Sequence, residues 1–251
     1  ELLFNFAAQS HVGTSFLQPE LTQDITGSGV LRILEAIRNE SPKTKLLQAS
    51  TSEMFGASPA PQSEDTPFLI QSPYAASKLF AHNLCRLYRE SYGIFAACGM
   101  FLNMESPHRG ELFLTKKVTK WIGQYVNGLT KEPLRVGNLD AKRDWGYCPE
   151  YMEAAWMLMQ QTVPDDFVIG TGETHSVREF IEEALNAAGI FGYWEDNKFY
   201  KNAKGYEWPT ERLVESDPSL LRAAEVPVLQ ADASKAKAVL GWAPKTSFSE
   251  L

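Results

Sequence analysis

Two groups of side chains in this sequence have the types and spacing needed for proton transfer. Tyr74 and Lys78 stand four residues apart, behind a Ser72-Pro73 step that reads as an N-cap and first helical position. Phenol and ammonium are therefore predicted to lie one turn apart on one helix face. A phenol, with a pKa of about 10, is a poor base near neutrality, and a nearby ammonium favours the phenolate, which suits it to general acid/base work. Upstream, Thr51-Ser52-Glu53 closes an apolar run that begins at Lys45. The threonine can hold a substrate hydroxyl, and Glu53 adds a second acid/base of a different kind. Tyr-x-x-x-Lys alone is short, and ordinary helix surfaces carry it. The Thr-x-Glu triplet at a strand end is what tips the reading towards chemistry.

The elements that must position these residues follow from periodicity and punctuation. A strand is predicted over 45–51, a Pro-rich loop from Ala57 to Pro73, and a helix over 73–92 with Phe80, Leu84, Leu87 and Tyr88 as its apolar core stripe. Gly93 stops that helix, and 94–102 reads as a buried strand. Residues 1–4 form a further apolar strand, and 20–39 a helix in which Gly27-Ser28-Gly29 only mimics a nucleotide loop, because no strand precedes it. Strands and helices alternating at this spacing predict βαβ units and a parallel sheet, so the fold class is α/β. Ligands bind such sheets beyond the carboxyl ends of strands. Those ends are the polar runs Ala8-Gln9-Ser10, Thr51-Ser52-Glu53 and Asn103-Met104-Glu105.

Further on, helices are predicted over 111–128, 149–161 and 177–189, the last opened by a Ser176/Glu179 capping box. Short strands are expected at 134–137 and 166–172, and 140–146 reads as a charged turn. The Met and aromatic residues of helix 149–161, Trp156 among them, are assigned to the core. Residues 191–224 show no clear period and are expected to be irregular. Asp232 to Trp242 is a short helix stopped by Gly241.

The whole chain bounds the function. A net charge of −7 argues against nucleic acid as the main partner, and no apolar run reaches membrane-spanning length. Three widely spaced cysteines make neither a disulfide framework nor a metal knuckle, which suits a reducing cytoplasm. The histidines at 11, 82, 108 and 175 lack metal-ligand spacing, so no metal site is expected. Lys117, Arg143 and Arg222 have the chemistry of a phosphate clamp, although each taken singly is an ordinary surface charge.

The stretches AAQSHVGTSF (7–16), QASTSEMFG (48–56), SPYAASK (72–78), NMESPHRGELF (103–113), GNLDAKRDWG (137–146), LRAAEV (221–226) and DASKAKAVLGW (232–242) give the chain a resemblance. It resembles the extended short-chain dehydrogenase/reductases and, within them, the GDP-mannose 4,6-dehydratase family. Ser52 supports the narrower match, since the dTDP-glucose relatives carry Asp there and sugar-nucleotide epimerases lack the carboxylate of Glu53. The resemblance implies a Rossmann-like parallel sheet, N-terminally incomplete, with a smaller C-terminal substrate domain. Residues 1–105 and 135–172 would form the NADP-binding part, and 106–134 with 173–251 the GDP-sugar part. It also implies NADP as cofactor, GDP-mannose or a related GDP-hexose as substrate, and a homodimer or homotetramer. Thr51, Glu53, Tyr74 and Lys78 would be catalytic. Ala7, Ala8, Gln9, Ser10, Tyr74, Lys78 and Arg109 would contact cofactor, and Ser52, Asn103, Lys117, Arg143, Arg222 and Glu225 substrate.

The sequence departs from the family pattern in places. The glycine-rich turn that cradles a pyrophosphate is not in it. Met104, His108, Leu112 and Leu21 replace residues that are usually His, Arg, Asn and Tyr. Two readings follow: a dehydratase, or a non-catalytic homologue that binds a nucleotide sugar or a full-length subunit. An epimerase or reductase is a third, against which Glu53 speaks.

Overall fold

The computed structural model describes residues 1–202, 211–221 and 224–251. Two compact units emerge: Glu1–Met104 with Arg143–Thr174 and Val228–Leu251, and Glu105–Lys142 with His175–Pro227. They differ from the expected domains at two places. Residues 135–142 belong with the second unit, because Leu134–Val136 pairs with a strand at Glu211–Ser216. Residues 228–251 belong with the first, where Trp242 packs edge-on against Tyr151 at 5.8 Å.

The first unit is built on four parallel strands: β1 (Leu2–Asn5), β2 (Lys45–Thr51), β3 (Ala96–Phe101) and β4 (Asp166–Ile169), adjacent in that order. Side chains alternate across a strand, so neighbouring residues enter different cores. Leu46, Ala96 and Cys98 join Val30, Leu34, Ala81 and Cys85 from helices α1 (Gly29–Glu40) and α2 (Pro73–Tyr92). Leu47, Ala49, Ala97 and Phe101 join Tyr151, Ala154 and Leu158 from α3 (Cys148–Gln160) on the other face. Helix α2 is the crossover between β2 and β3. Its start and stop are as the sequence predicts: the Ser72 side chain accepts from the Ala75 N–H, and Gly93 takes the left-handed conformation at φ 66°.

Two packing expectations fail here. Phe80 and Leu87 are exposed, and the buried face of α2 instead carries Tyr74, Lys78, Ala81, His82, Cys85 and Tyr88. Trp156 is likewise exposed and stacks over Phe4. On α2 the face turned to the sheet carries small and polar residues that fit against it, whereas α3 meets the sheet with Tyr151, Ala154, Leu158 and Met159 and leaves Trp156 on its outer side.

In the second unit, helices Leu114–Val126 and Val177–Ala187 cover a sheet ordered Gly192–Glu195, Lys198–Lys201, Glu211–Ser216 and Leu134–Val136. Val118, Ile122, Ile181, Leu185, Phe199, Leu213 and Val214 fill the space between. Among the described residues of 191–224, Gly192–Glu195, Lys198–Lys201 and Glu211–Ser216 are therefore strands rather than irregular chain. Only one face of these short, charged strands is apolar, which is too little for a period to register. The capping box forms as expected, with Ser176 and Glu179 each bonding the other's backbone. No helix among the described residues is long and apolar enough to cross a membrane.

Candidate active site

Strand β2 delivers the first part of the site. It runs apolar and buried to Thr51, where the chain turns into a 3-10 turn over Ser52–Met54. The Thr51 hydroxyl caps that turn by accepting from the Glu53 N–H at 3.3 Å. Met54 and Phe55 are fully buried, while Glu53 between them and the strand is half-buried, so the carboxylate is held at the surface of a rigid turn. The following loop is locked back on it. Ala57 N–H donates to the Leu69 carbonyl, and Leu69 N–H to that of Phe55. Gly56, at φ 54°, permits this approach: a Cβ there would stand 1.8 Å from the Leu69 oxygen.

Helix α2 delivers the second part. Tyr74 and Lys78 lie one turn apart on its buried face, the ammonium 5.9 Å from the phenol ring centre. Lys78 is 4% exposed and its Nζ donates to the Ala49 carbonyl at 2.7 Å, two residues before Thr51. Burial disfavours the charged form and pulls Lys78 down from 10.5 to about 8. The ammonium is thus fixed on the strand that carries Thr51, and phenol and ammonium lie one turn apart on one helix face, as expected.

The loop after β1 holds Ala7, Ala8, Gln9 and Ser10. Thr26 accepts from the Gln9 N–H at 3.1 Å, and the Gln9 amide donates to Thr22 at 3.0 Å and to the His11 carbonyl. Ala7 and Ser10 remain exposed at the carboxyl end of the strand. Ser52 sits in the Glu53 turn, and Asn103 N–H donates to the Asp144 carbonyl, next to buried Arg143. In the second unit, Lys117 donates to the Arg135 carbonyl at 2.7 Å, and burial lowers its pKa. Arg109 lies over the Phe113 ring with its Nε 3.3 Å from Glu105. Glu225 is half-buried in the same unit. Arg222 lies outside the described residues.

Two residues near this site escaped the sequence reading. Residues 140–146, expected to be a charged turn, are extended at Lys142–Arg143 and Trp145–Tyr147, with Asp144 fully buried between them. Its carboxylate accepts from the Thr171 N–H and hydroxyl and from the N–H groups of Gly172 and Ala231, at 2.7 to 3.0 Å. It thereby joins the segment holding Arg143 to the loop after β4, and no local pattern marks partners so distant in sequence. The other is His82, which continues the 74, 78 series by one more turn. That four-residue spacing was the available signal.

Comparison with known proteins agrees with this arrangement. A family model described as GDP-mannose 4,6 dehydratase matches residues 1–251. The chain is 47% identical to GDP-mannose 4,6 dehydratase 2 of Arabidopsis thaliana over 253 residues, covering 99% of this chain and 63% of that protein. It is 45% identical to a GDP-mannose 4,6-dehydratase of Vibrio cholerae, covering 99% and 70%. Among solved structures, RMD from Pseudomonas aeruginosa complexed with NADPH superposes with a TM-score of 0.84 at 21% identity, over 99% of this chain and 77% of that one. A Thermus thermophilus UDP-glucose 4-epimerase complexed with NAD does so at 0.79 and 26%, over 99% and 74%. The chain therefore spans under two-thirds of its Arabidopsis relative while matching that relative along nearly all of its own length. With the Thr-x-Glu turn and the Tyr–Lys helix both in place, the chain belongs to the GDP-mannose 4,6-dehydratase family.

Proposed function

We propose that the protein is an NADP-dependent GDP-mannose 4,6-dehydratase, which oxidises the hexose at C4, removes water across C5 and C6, and reduces C6 to give GDP-4-keto-6-deoxymannose. The observation that carries this reading is Glu53 on a capped turn at the end of the strand to which Lys78, the partner of Tyr74, is anchored. Oxidation and reduction at one carbon need only the Tyr–Lys pair. A second, separate acid/base is required to move a carbon-bound proton as water leaves. Relatives at 43–47% identity that bear the dehydratase name support the same reading.

The residues present suit the nicotinamide and ribose end of a dinucleotide. Ala7 and Ser10 lie exposed in the loop after β1, and Tyr74 and Lys78 open the helix that follows the neighbouring strand. NADP, when bound, supplies the acceptor and donor of the hydrogen that leaves C4 and returns to C6. The preference for NADP over NAD is part of the proposal.

The chain's own groups do the rest. Tyr74, kept as phenolate by the Lys78 charge, takes the proton of the C4 hydroxyl. The resulting ketone acidifies C5–H; Glu53 takes that proton and passes it to the C6 hydroxyl, which leaves as water, and the proton held on Tyr74 goes to C5 when hydrogen is returned to C6. Thr51 holds the oxygen at C4, and Ser52 and Asn103 hold the sugar. The diphosphate falls to Arg143 and Arg222, whose guanidinium groups suit bidentate contact, with Lys117 and Glu225 completing the nucleotide contacts. Arg109 belongs to the cofactor. A homodimer or homotetramer in the cytoplasm completes the reading.

Incubation with NADP+ and GDP-mannose, followed by mass spectrometry, is expected to yield a nucleotide sugar lighter by one water that reacts with carbonyl reagents. Intact GDP-mannose recovered from a folded protein that binds NADPH would overturn the assignment.

A further inference from the structure

Behind the catalytic strand end lies a buried polar cluster that the reaction above does not use. His82 is 5% exposed and sits one turn beyond Lys78 on α2. Its Nδ1 is 3.1 Å from the Ser50 hydroxyl, on the residue between the Ala49 carbonyl that holds Lys78 and Thr51. Its Nε2 faces Asp166 of β4 at 3.8 Å. Arg89 grips both oxygens of that carboxylate, at 2.9 and 3.1 Å, and donates also to the Ala96 carbonyl of β3. Cys98 of β3 closes the cluster.

The ring also bonds the Cys98 thiol and meets an aromatic neighbour. Phe68 meets the ring edge-on at 5.5 Å and 80°, and Phe68 packs against Phe55 at 5.4 Å. Phe55 follows the Ser52–Met54 turn directly. One side chain therefore touches the residue before Thr51 and, through Phe68, the residue after the Glu53 turn. Thr51, Ser52 and Glu53 hang between those two fixed points.

Resting on the dehydratase reading, we propose that His82 is a positioning residue, which sets the placement of Thr51 and Glu53 and of the Ala49 carbonyl that holds Lys78. An apolar side chain would fill this space without the cost of burying an imidazole. Only a ring with polar atoms on two edges spans from Ser50 to the Asp166–Arg89 pair while leaving its face and rim to Phe68. His82, Cys98 and Asp166 are close enough together to bracket a small cation, but the Arg89 guanidinium already neutralises Asp166, and the ring hydrogen-bonds Ser50 and Cys98 while facing Asp166 at ion-pair distance, so the cluster is a polar brace.

Three variants test this. His82→Phe keeps the aromatic packing and loses both polar edges, and His82→Asn restores a donor near the Nδ1 position. Ser50→Ala breaks the same contact from the other side if His82→Phe fails to fold. His82→Phe and Ser50→Ala are expected to lower kcat by about 10- to 100-fold, the scale of an ångström misplacement, with KM for GDP-mannose changed by less than about 3-fold. His82→Asn should recover most of that loss. A second readout needs neither substrate nor cofactor: the NMR titration of the Lys78 Cε should move upward in His82→Phe as water reaches the loosened ammonium. It responds to the brace even if the protein proves not to be a dehydratase. Three outcomes would overturn the proposal: wild-type kcat together with an unchanged Lys78 titration in His82→Phe, His82→Asn no better than His82→Phe, or stoichiometric zinc in the purified protein that His82→Phe abolishes.

Discussion

Replacing Lys78 by Met should make the protein more stable near neutral pH while removing its chemistry. Lysine ordinarily titrates at 10.5, and burial brings Lys78 to about 8. Between those values the unfolded chain holds the proton and the folded one has released it. Unfolding then takes up protons, so wild-type stability climbs with pH across that window. Each pH unit adds ~1.4 kcal/mol, or ~3 kcal/mol over the whole span. Below about pH 8 both states are protonated and the folded chain carries the full cost of the buried charge. Met has a similar shape and no charge. The Ala49 carbonyl is not orphaned by the change, because the Gln48 amide also donates to it at 2.9 Å. Urea unfolding of Tyr74→Phe and Tyr74→Phe/Lys78→Met at half-unit steps from pH 7 to 10.5 isolates the effect, since the coupled phenol is gone and the more distant titrating groups cancel in the difference. The double variant should lead by up to ~3 kcal/mol at pH 7, and the two should converge as pH approaches 10.5. Parallel profiles would refute the argument, for they would mean that Lys78 is charged and solvated alike in both states.

Glu53→Gln keeps the turn, whose cap is the Thr51 hydroxyl and not the carboxylate. Loss of water should slow by about 10²- to 10⁴-fold, and solvent deuterium should no longer enter at C5 of the sugar. Elimination within 5-fold of wild type, roughly the size of an indirect effect, would remove Glu53 from the mechanism. Gly56→Ala, with its Cβ forced onto the Leu69 carbonyl at positive φ, should cost about 3 kcal/mol in urea unfolding, and a cost below about 1 kcal/mol would show that the loop yields easily. Asp144→Ala leaves four donors from Thr171, Gly172 and Ala231 facing a void. A loss of about 3 kcal/mol is expected, the upper end of the cost of leaving buried donors unmatched, with Asp144→Asn recovering part of it. Equal losses for the two variants would mean that packing, not hydrogen bonding, holds the segment.

What the sequence disclosed and what it hid divide by the distance over which each signal acts. Ser72-Pro73, Gly93 and Ser176 with Glu179 set helix ends through bonds spanning at most four residues, so reading them needs no tertiary knowledge. Tyr74 and Lys78 were legible for the same reason. The face of α2 that meets the sheet was not, since Phe80 and Leu87 have the stronger apolar signal and yet lie outside. The sheet accepts small side chains at Ala81 and Cys85 and specific polar ones at Lys78 and His82, and each polar group is tolerable there only because an acceptor or partner comes from β2 or β4. Asp144 follows the same rule: its charge reads as surface until residues 171, 172 and 231 arrive to bond it. Polar residues that break the hydrophobic pattern are costly to bury unless matched. Lys78 and His82, matched by the Ala49 carbonyl and the Ser50 hydroxyl of the strand that leads into the Thr51–Glu53 turn, are therefore where the proposed chemistry and the packing meet.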